Sequence, residues 1–292
     1  MALHIWQYLY SNYFRFCVKW ILRQISGKCE LQRVCDGYKD GAQRTHGIEY
    51  SLEHSKSKVL QKAVNVFEEE VDTYVADLVK EKKINVEKDK RFQISLRICL
   101  LQISGYKKLY LEVEDMRKQC YDCNNPEHEQ QLLELWSLLM PHEKLKSRFT
   151  KQWGDIGFQG EDPKTDFRGM GMLGLANLLY FSQHYAEESR LILSHSNHPK
   201  IGYSYAIVGI NLTEMAYSLL KSGALKSHFY NTVPGVPRIK CFHQFYCYLV
   251  YEFDKFWFKE EPESIMYFNQ YREKFHDQIK HLLLNPDVVL TL

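Results

Sequence analysis

The sequence predicts an all-α protein, and three observations carry the prediction. Apolar residues recur at three- and four-residue steps along most of the chain, which is the helical period. Helix punctuation, such as Pro126 opening one stretch and Pro141 closing it, brackets the pattern. No run alternates apolar and polar residues as a half-buried strand requires. The 292 residues suit one large domain or two small ones, with ample material for a core.

The first element is residues 1–26, containing IWQYLYSNYFRFCVKWILRQI. Gln7, Ser11, Arg15, Lys19 and Arg23 recur every four residues as a slowly winding polar stripe, and the rest is mostly aromatic or apolar. Arg15, Lys19 and Arg23 make the segment too charged to span a bilayer, and no small-residue cleavage site follows it. Two arrangements fit the pattern equally. In one, the helix lies in a membrane interface, with Trp6, Phe14, Arg15, Lys19, Trp20 and Arg23 touching lipid. In the other, it packs on the protein's own core.

Residues 27–55, with Gly27, Gly37, Gly41 and Gly47, read as an irregular connection. Residues 56–125 form a helical N-terminal part of the globular region. There Val59, Leu60, Ala63, Val64, Phe67, Val71, Tyr74, Val75 and Leu78 predict one helix ending in KEKK, and a second spans 91–103. The core region is 126–285. Its first helix follows Pro126, with Leu132, Leu133, Leu135, Trp136 and Leu139 inside, and further helices are expected near 170–185, 203–222, 238–258 and 262–284.

Composition excludes several functions. Lys+Arg 38 against Asp+Glu 36 leaves a net charge of +2, with basic residues interspersed among acids, so no phosphate-tracking face for nucleic acid is evident. The eight cysteines are scattered through apolar stretches, as reduced thiols of a cytosolic protein are. Cys120-x2-Cys123 followed by His128 is the sharpest metal candidate, but no fourth Cys or His follows before His142, and zinc is not expected. His195 and His198 read as polar loop residues. The chain has no phosphate-binding G-x-x-x-x-G-K-[ST] loop, no G-x-S-x-G elbow and no H-E-x-x-H helix.

One stretch stands apart. Residues 153–174, WGDIGFQGEDPKTDFRGMGMLG, hold six of the chain's 15 glycines around a single arginine, Arg168. Trp153 and Phe158 can anchor a loop by burying their rings. Gly157 and Gly160 permit turns, Pro163 stiffens the approach, and Thr165 or Asp166 can cap the helix that follows. Gly169 and Gly171 leave Arg168 unwalled, so that a partner's backbone or phosphate can approach. The competing arrangement, and the commoner one, pairs Arg168 with Asp166, Asp162 or Glu161 and pins the loop.

The pattern W-x-x-I-G-F-Q-G-x-x-P-x-T-D-F-R-G-x-G-x-L resembles the signature of the ELMO domain family. The resemblance continues through LGLANLLYF and YSYAIVGINLTEM, and more loosely to YLVYEFDKFWF, covering about 126–285. The short architecture, with its aromatic amphipathic N-terminus and GKCELQR, is similar to the ELMO domain-containing protein group. That resemblance implies a helical ELMO-type domain that activates small GTPases of the Arf and Arf-like families. It makes Arg168 the catalytic arginine, within Asp166-Phe167-Arg168-Gly169, and Trp153, Gly157, Phe158, Gln159, Gly160, Pro163, Thr165, Gly169 and Gly171 the GTPase-facing or loop-shaping residues. Such a protein is an enzyme regulator without a substrate of its own and without its own cofactor, since the GTP-state partner holds the GTP and Mg. It is cytoplasmic, with peripheral contact to a cytosolic membrane face. The alternative is a scaffold or adaptor that holds a small GTPase or another partner through the same surface without catalysis.

Overall fold

A computed structural model describes residues 14–85 and 87–292 of the chain. The fold is all-α, with no strand among the described residues. The chain divides into two compact units, residues 1–106 with 229–236, and residues 107–228 with 237–292.

The first unit holds α1 (Arg15–Ser26), α2 (Glu30–Gly37), α3 (Ala42–Glu53), α4 (Lys58–Lys62), α5 (Val71–Glu81) and α6 (Lys90–Lys118) as far as Tyr106. Leu31, Ile48, Leu52, Leu60, Leu78, Leu96 and Leu100 are among its fully enclosed side chains. Gln102 ties the returning segment 229–236 to this unit. Its amide donates to the carbonyls of Tyr230 (2.9 Å) and Val233 (2.6 Å), and its oxygen accepts from the Thr45 hydroxyl (2.5 Å).

Three expectations from the sequence are corrected. Residues 27–55 are not an irregular connection: they form α2 and α3. Gly27 and Gly41 do break the chain, at φ 67° and 132°, but Gly47 lies inside α3. A Cβ there would come within 2.8 Å of Val34 Cγ1, so this glycine lets α2 approach α3. The helix expected from Ser57 through Leu78 is interrupted instead. Val66 and Phe67 are extended, with Phe67 solvent-exposed, and α5 restarts after Glu68–Glu70, whose charges suit a helix N-terminus. The helix expected over 91–103 runs to Lys118, because Tyr106, Leu109 and Val113 continue the buried period between charged residues.

The second unit holds the rest of α6, then α7 (Pro126–Leu139), α8 (Gly171–His184), α9 (Ala186–Ser196), α10 (Tyr205–Lys221), α12 (Ile239–Glu260) and α13 (Phe268–Leu283). A short α11 (Lys226–Thr232) precedes α12. Neither α9 nor α11 is expected from the sequence pattern. The centre of the unit is α8, which packs against α7, α9, α10 and α12. Its sequence GMLGLANLLYFSQH is apolar nearly all round, as a helix enclosed on every side must be. Asn177 and Ser182 are its enclosed polar residues: the Asn177 amide donates to Thr213 (3.1 Å) and its oxygen meets His243 Nδ1 at 2.6 Å. On α7, Asn125 caps the first turn and Pro126 takes the first helical position, while Leu133 faces solvent with the other four expected core residues inside.

Candidate functional site

The glycine-rich loop is held from beneath by rings. Thr150 caps a 3-10 turn, Lys151–Ile156, that carries Trp153 into the core at 0% exposure. The Trp153 indole N–H donates to the Arg148 carbonyl at 2.9 Å. Trp153 meets Trp136 of α7 edge-on at 5.5 Å between centroids and Phe158 edge-on at 6.0 Å. Phe158 meets Phe167 at 5.5 Å, and Phe167 stacks on Tyr121 at 5.5 Å. These five rings form a continuous aromatic ladder beneath the loop, each contact adding about 0.5–1.5 kcal/mol beyond its buried area. Gly157 makes the ladder possible. Its φ is 85°, and a Cβ would lie 2.2 Å from the Tyr205 amide nitrogen at the start of α10.

Arg168 ends a second 3-10 turn, Pro163–Arg168. Asp162 caps that turn by accepting from the Lys164 amide (3.1 Å), and Pro163 stands buried at its first position. Asp166 Oδ2 accepts from the Gln159 amide (2.8 Å), closing the loop on itself. Burial pushes the Asp166 carboxyl above its ordinary pKa, against the opposing pull of the Gln159 N–H and the Arg168 charge. The cap is therefore Asp162, not Thr165 or Asp166, and α8 itself starts without a side-chain cap. Gly160 has φ 75° with no atom near its Cβ position, so its role is conformational. Gly169 is open on every side within 4 Å, as expected. Gly171 is not. At φ 52°, its Cβ would sit 2.4 Å from the carbonyl oxygens of Arg117 and Gln119, and the neighbouring Met172 amide donates to Gln119 at 2.8 Å. Gly171 admits the end of α6, rather than opening Arg168 to a partner.

The three acids available to Arg168 are engaged differently. Asp162 pairs with Arg148 at 3.0 Å and Asp166 accepts from the Gln159 amide, while Glu161 is exposed, is tied to the Thr150 amide only through its backbone carbonyl, and makes no ion pair with Arg168. Arg168 is exposed and makes no hydrogen bond or ion pair with any described residue. Chemically, this is a guanidinium with all its donors free, carried on a turn fixed by a cap, a proline and the buried ring of Phe167. Trp153, Phe158, Pro163 and Phe167 are inside, while Gln159, Gly160, Thr165, Arg168 and Gly169 are outside. Arg148, Glu129 and Tyr121, which complete the underside, carry no motif that would single them out in the sequence.

The other surface expected from the sequence has the opposite arrangement. Trp6 lies outside the described residues. On α1, Arg15 is 4% exposed, and both Arg15 (3.3 Å) and Lys19 pair with Glu30. Arg15 also lies over the Tyr50 ring, and Arg23 donates to the Lys82 carbonyl at 3.3 Å. Arg15 thus faces the protein and Lys19 is half-buried against Glu30, whereas Arg23 is exposed, as are Phe14, Val18, Ile21 and Ile25, with Trp20 and Leu22. Among the described residues, no helix is long and apolar enough to cross a membrane. Around the Cys-x2-Cys pair, both ring nitrogens of buried His128 are occupied, Nδ1 by the Asp122 amide (3.0 Å) and Nε2 by Gln119 (3.1 Å).

Comparison with known proteins converges on the same region. A protein-family model described as the ELMO/CED-12 family matches residues 111–272. The chain is 66% identical over 292 residues to ELMO domain-containing protein 2 of Homo sapiens, covering 100% of this chain and 99% of that protein. It is 49% identical over 307 residues to ELMO domain-containing protein 1 of Mus musculus, covering 99% and 94%. It is 35% identical over 278 residues to ELMO domain-containing protein B of Dictyostelium discoideum, covering 94% and 95%. No solved structure matches the chain.

Proposed function

Because the chain belongs to the ELMO/CED-12 family, which supports a role in small-GTPase regulation, we propose that it is a GTPase-activating protein for Arf and Arf-like GTPases. The observation that carries the reading is Arg168: exposed, unpaired and fixed on a stiff turn. In phosphoryl transfer the barrier falls when positive charge meets the charge developing on the transferring group. A guanidinium delivered in trans supplies that charge in planar, bidentate form, and is worth roughly 10³–10⁵ in rate, which is about 4–7 kcal/mol of barrier. The partner in its GTP state holds the nucleotide and Mg; this chain adds the cation and a surface shaped by Gln159, Gly160, Thr165 and Gly169. An arginine already bound to an acid of its own loop would have to break that pair first.

The test is turnover. Substoichiometric protein, added to excess GTP-loaded members of an Arf and Arf-like panel, is expected to accelerate hydrolysis of the whole pool. If at least one GTPase binds but none is accelerated, the same surface serves a scaffold and the activating reading fails.

For location, the reading is a cytoplasmic protein in peripheral contact with a membrane. What supports it is the apolar stripe of Phe14, Val18, Ile21 and Ile25, which follows the helical period and faces outward.

A further inference from the structure

A second arginine takes one of the acids that could hold Arg168, the cap residue Asp162. Arg148 is mostly buried, at 18% side-chain exposure. Its Nε donates to Glu129 Oε2 at 2.5 Å, and its Nη2 to Asp162 Oδ1 at 3.0 Å and, more weakly, to the Tyr121 hydroxyl at 3.5 Å. Asp162 is the residue that caps the Pro163–Arg168 turn. Tyr121, whose hydroxyl donates to Glu129 at 2.5 Å, is the ring stacked on Phe167, next to Arg168. The guanidinium also lies 5.9 Å from the centroid of Trp153, whose indole N–H bonds the Arg148 carbonyl. Although burial opposes its charge, Glu129 and Asp162 hold the Arg148 pKa above its ordinary value.

One planar fork therefore joins the four supports of the finger-bearing turn: its cap, the ring beneath it, the first turn of α7, and the Trp153 anchor. We propose that Arg148 is the positioning residue of this site, clamping the Pro163–Arg168 turn so that Arg168 is presented in a single orientation. Being enclosed, it acts only through Arg168 and touches no partner. The geometry requires arginine. Lysine keeps the charge but cannot reach two carboxylates on different elements with fixed, divergent donors. A catalytic group displaced by about 1 Å can lose on the order of 10²-fold in rate, so a loosened clamp is read in turnover rather than in docking.

The inference rests on the activating reading, and the experiment keeps the two separable. Arg148→Lys is expected to lower kcat of partner GTP hydrolysis roughly 10- to 100-fold while leaving KM for the GTP-loaded partner nearly unchanged. In an Arg168→Lys background, the same substitution is expected to add almost nothing, because there is no finger left to position. Amide exchange of residues 163–169 should quicken in Arg148→Lys while α8 and α10 stay protected. If Arg148→Lys does not fold, Asp162→Asn opens the same clamp from its outer end, since asparagine keeps the helix cap but loses the ion pair. The same losses are expected from it. Wild-type kcat in either variant, or an equal fold-loss with and without Arg168, overturns the assignment, the latter by showing general damage. If the wild-type protein accelerates no GTPase, the activating reading has failed, and amide exchange alone decides the clamp: unchanged exchange at 163–169 sinks it.

Discussion

The loop around Arg168 and the helix α1 are built from the same materials and use them in opposite senses. In the loop, the aromatic rings of Trp153, Phe158 and Phe167 face inward and the cation faces out. In α1, Arg15 and Lys19 face inward onto Glu30, and Trp20, Ile21 and Ile25 face out, Ile25 at 78% exposure. The difference lies in where the nearest carboxylates stand. In the loop, Asp162 is taken by Arg148 and Asp166 by a backbone N–H, and Arg168 pairs with neither. Beside α1, Glu30 stands at the head of α2 and draws in both cations, which turns the apolar stripe outward. A basic residue in an amphipathic pattern is thus no guide to its direction until its acid is located.

The largest effect expected to test this contrast is at Arg168. Arg168→Lys keeps the charge but loses the planar fork, and should remove roughly two to four orders of magnitude of GTPase stimulation. Melting temperature should hardly move, because an exposed, unpaired side chain supports little of the fold. Binding to the GTP-loaded partner should persist, since a finger acts mainly in the transition state. Hydrolysis, affinity and melting measured on this one variant separate a finger from a docking residue, for which binding falls together with activity. Full stimulation by Arg168→Lys would sink the finger.

Next in size is the anchor. Trp153→Ala removes a wholly enclosed ring that touches Trp136 and Phe158 and bonds the Arg148 carbonyl, and should cost about 3–5 kcal/mol. Urea unfolding checks it. A loss under about 1 kcal/mol would mean that the loop does not depend on its ring ladder.

Much of this was legible in the sequence, and the part that was not has a common cause. The helical class followed from periodicity alone, and the buried rings of the loop followed from their apolar character. The free state of Arg168 did not, because the groups that occupy Asp162 and Asp166, namely Arg148 and the Gln159 amide, are fixed by folding rather than by spacing. Gly171 was misread for the same reason: its constraint comes from Arg117 and Gln119, far back in the chain. Gly47 looked like a breaker because a packing glycine and a turn glycine are the same letter. The stripe on α1 was visible as a period, but the direction it faces is set by Glu30 and Tyr50.

Acid should weaken the unit that carries the loop. His228 and His243 are enclosed there, and burial lowers each pKa from 6.5 to about 4, with the His184 charge adding to the effect at His243. His228 Nδ1 accepts from the Leu290 amide at 3.1 Å, which requires that nitrogen to be unprotonated. The unfolded chain binds protons at these sites first, so stability is fully present above pH 6.5 and falls as pH drops toward 4. At 1.36 kcal/mol per unit, each histidine accounts for about 3 kcal/mol. Melting followed from pH 7 to 4 should show the decline, and His228→Gln should flatten it. An unchanged slope in that variant would remove His228 from the account.

The smallest expected effect on stability falls on α1 and decides which of its faces meets lipid. Ile21 and Ile25 are exposed, so Ile21→Ser and Ile25→Ser together should shift the melting free energy by no more than about 0.5 kcal/mol each. Their replacement removes apolar area that an interfacial helix would bury, and cosedimentation with lipid vesicles should fall. Lys19→Gln sharpens the comparison from the other side. If the basic stripe held lipid phosphate, losing Lys19 would weaken binding to acidic vesicles in a salt-dependent way. Because Lys19 is already paired with Glu30, its loss should leave vesicle binding unchanged and cost only a fraction of a kcal/mol in folding. A protein that keeps its vesicle binding after the two serine substitutions, and loses it with Lys19→Gln, would show that α1 turns its cations outward at a membrane, and the contrast with the loop would break there.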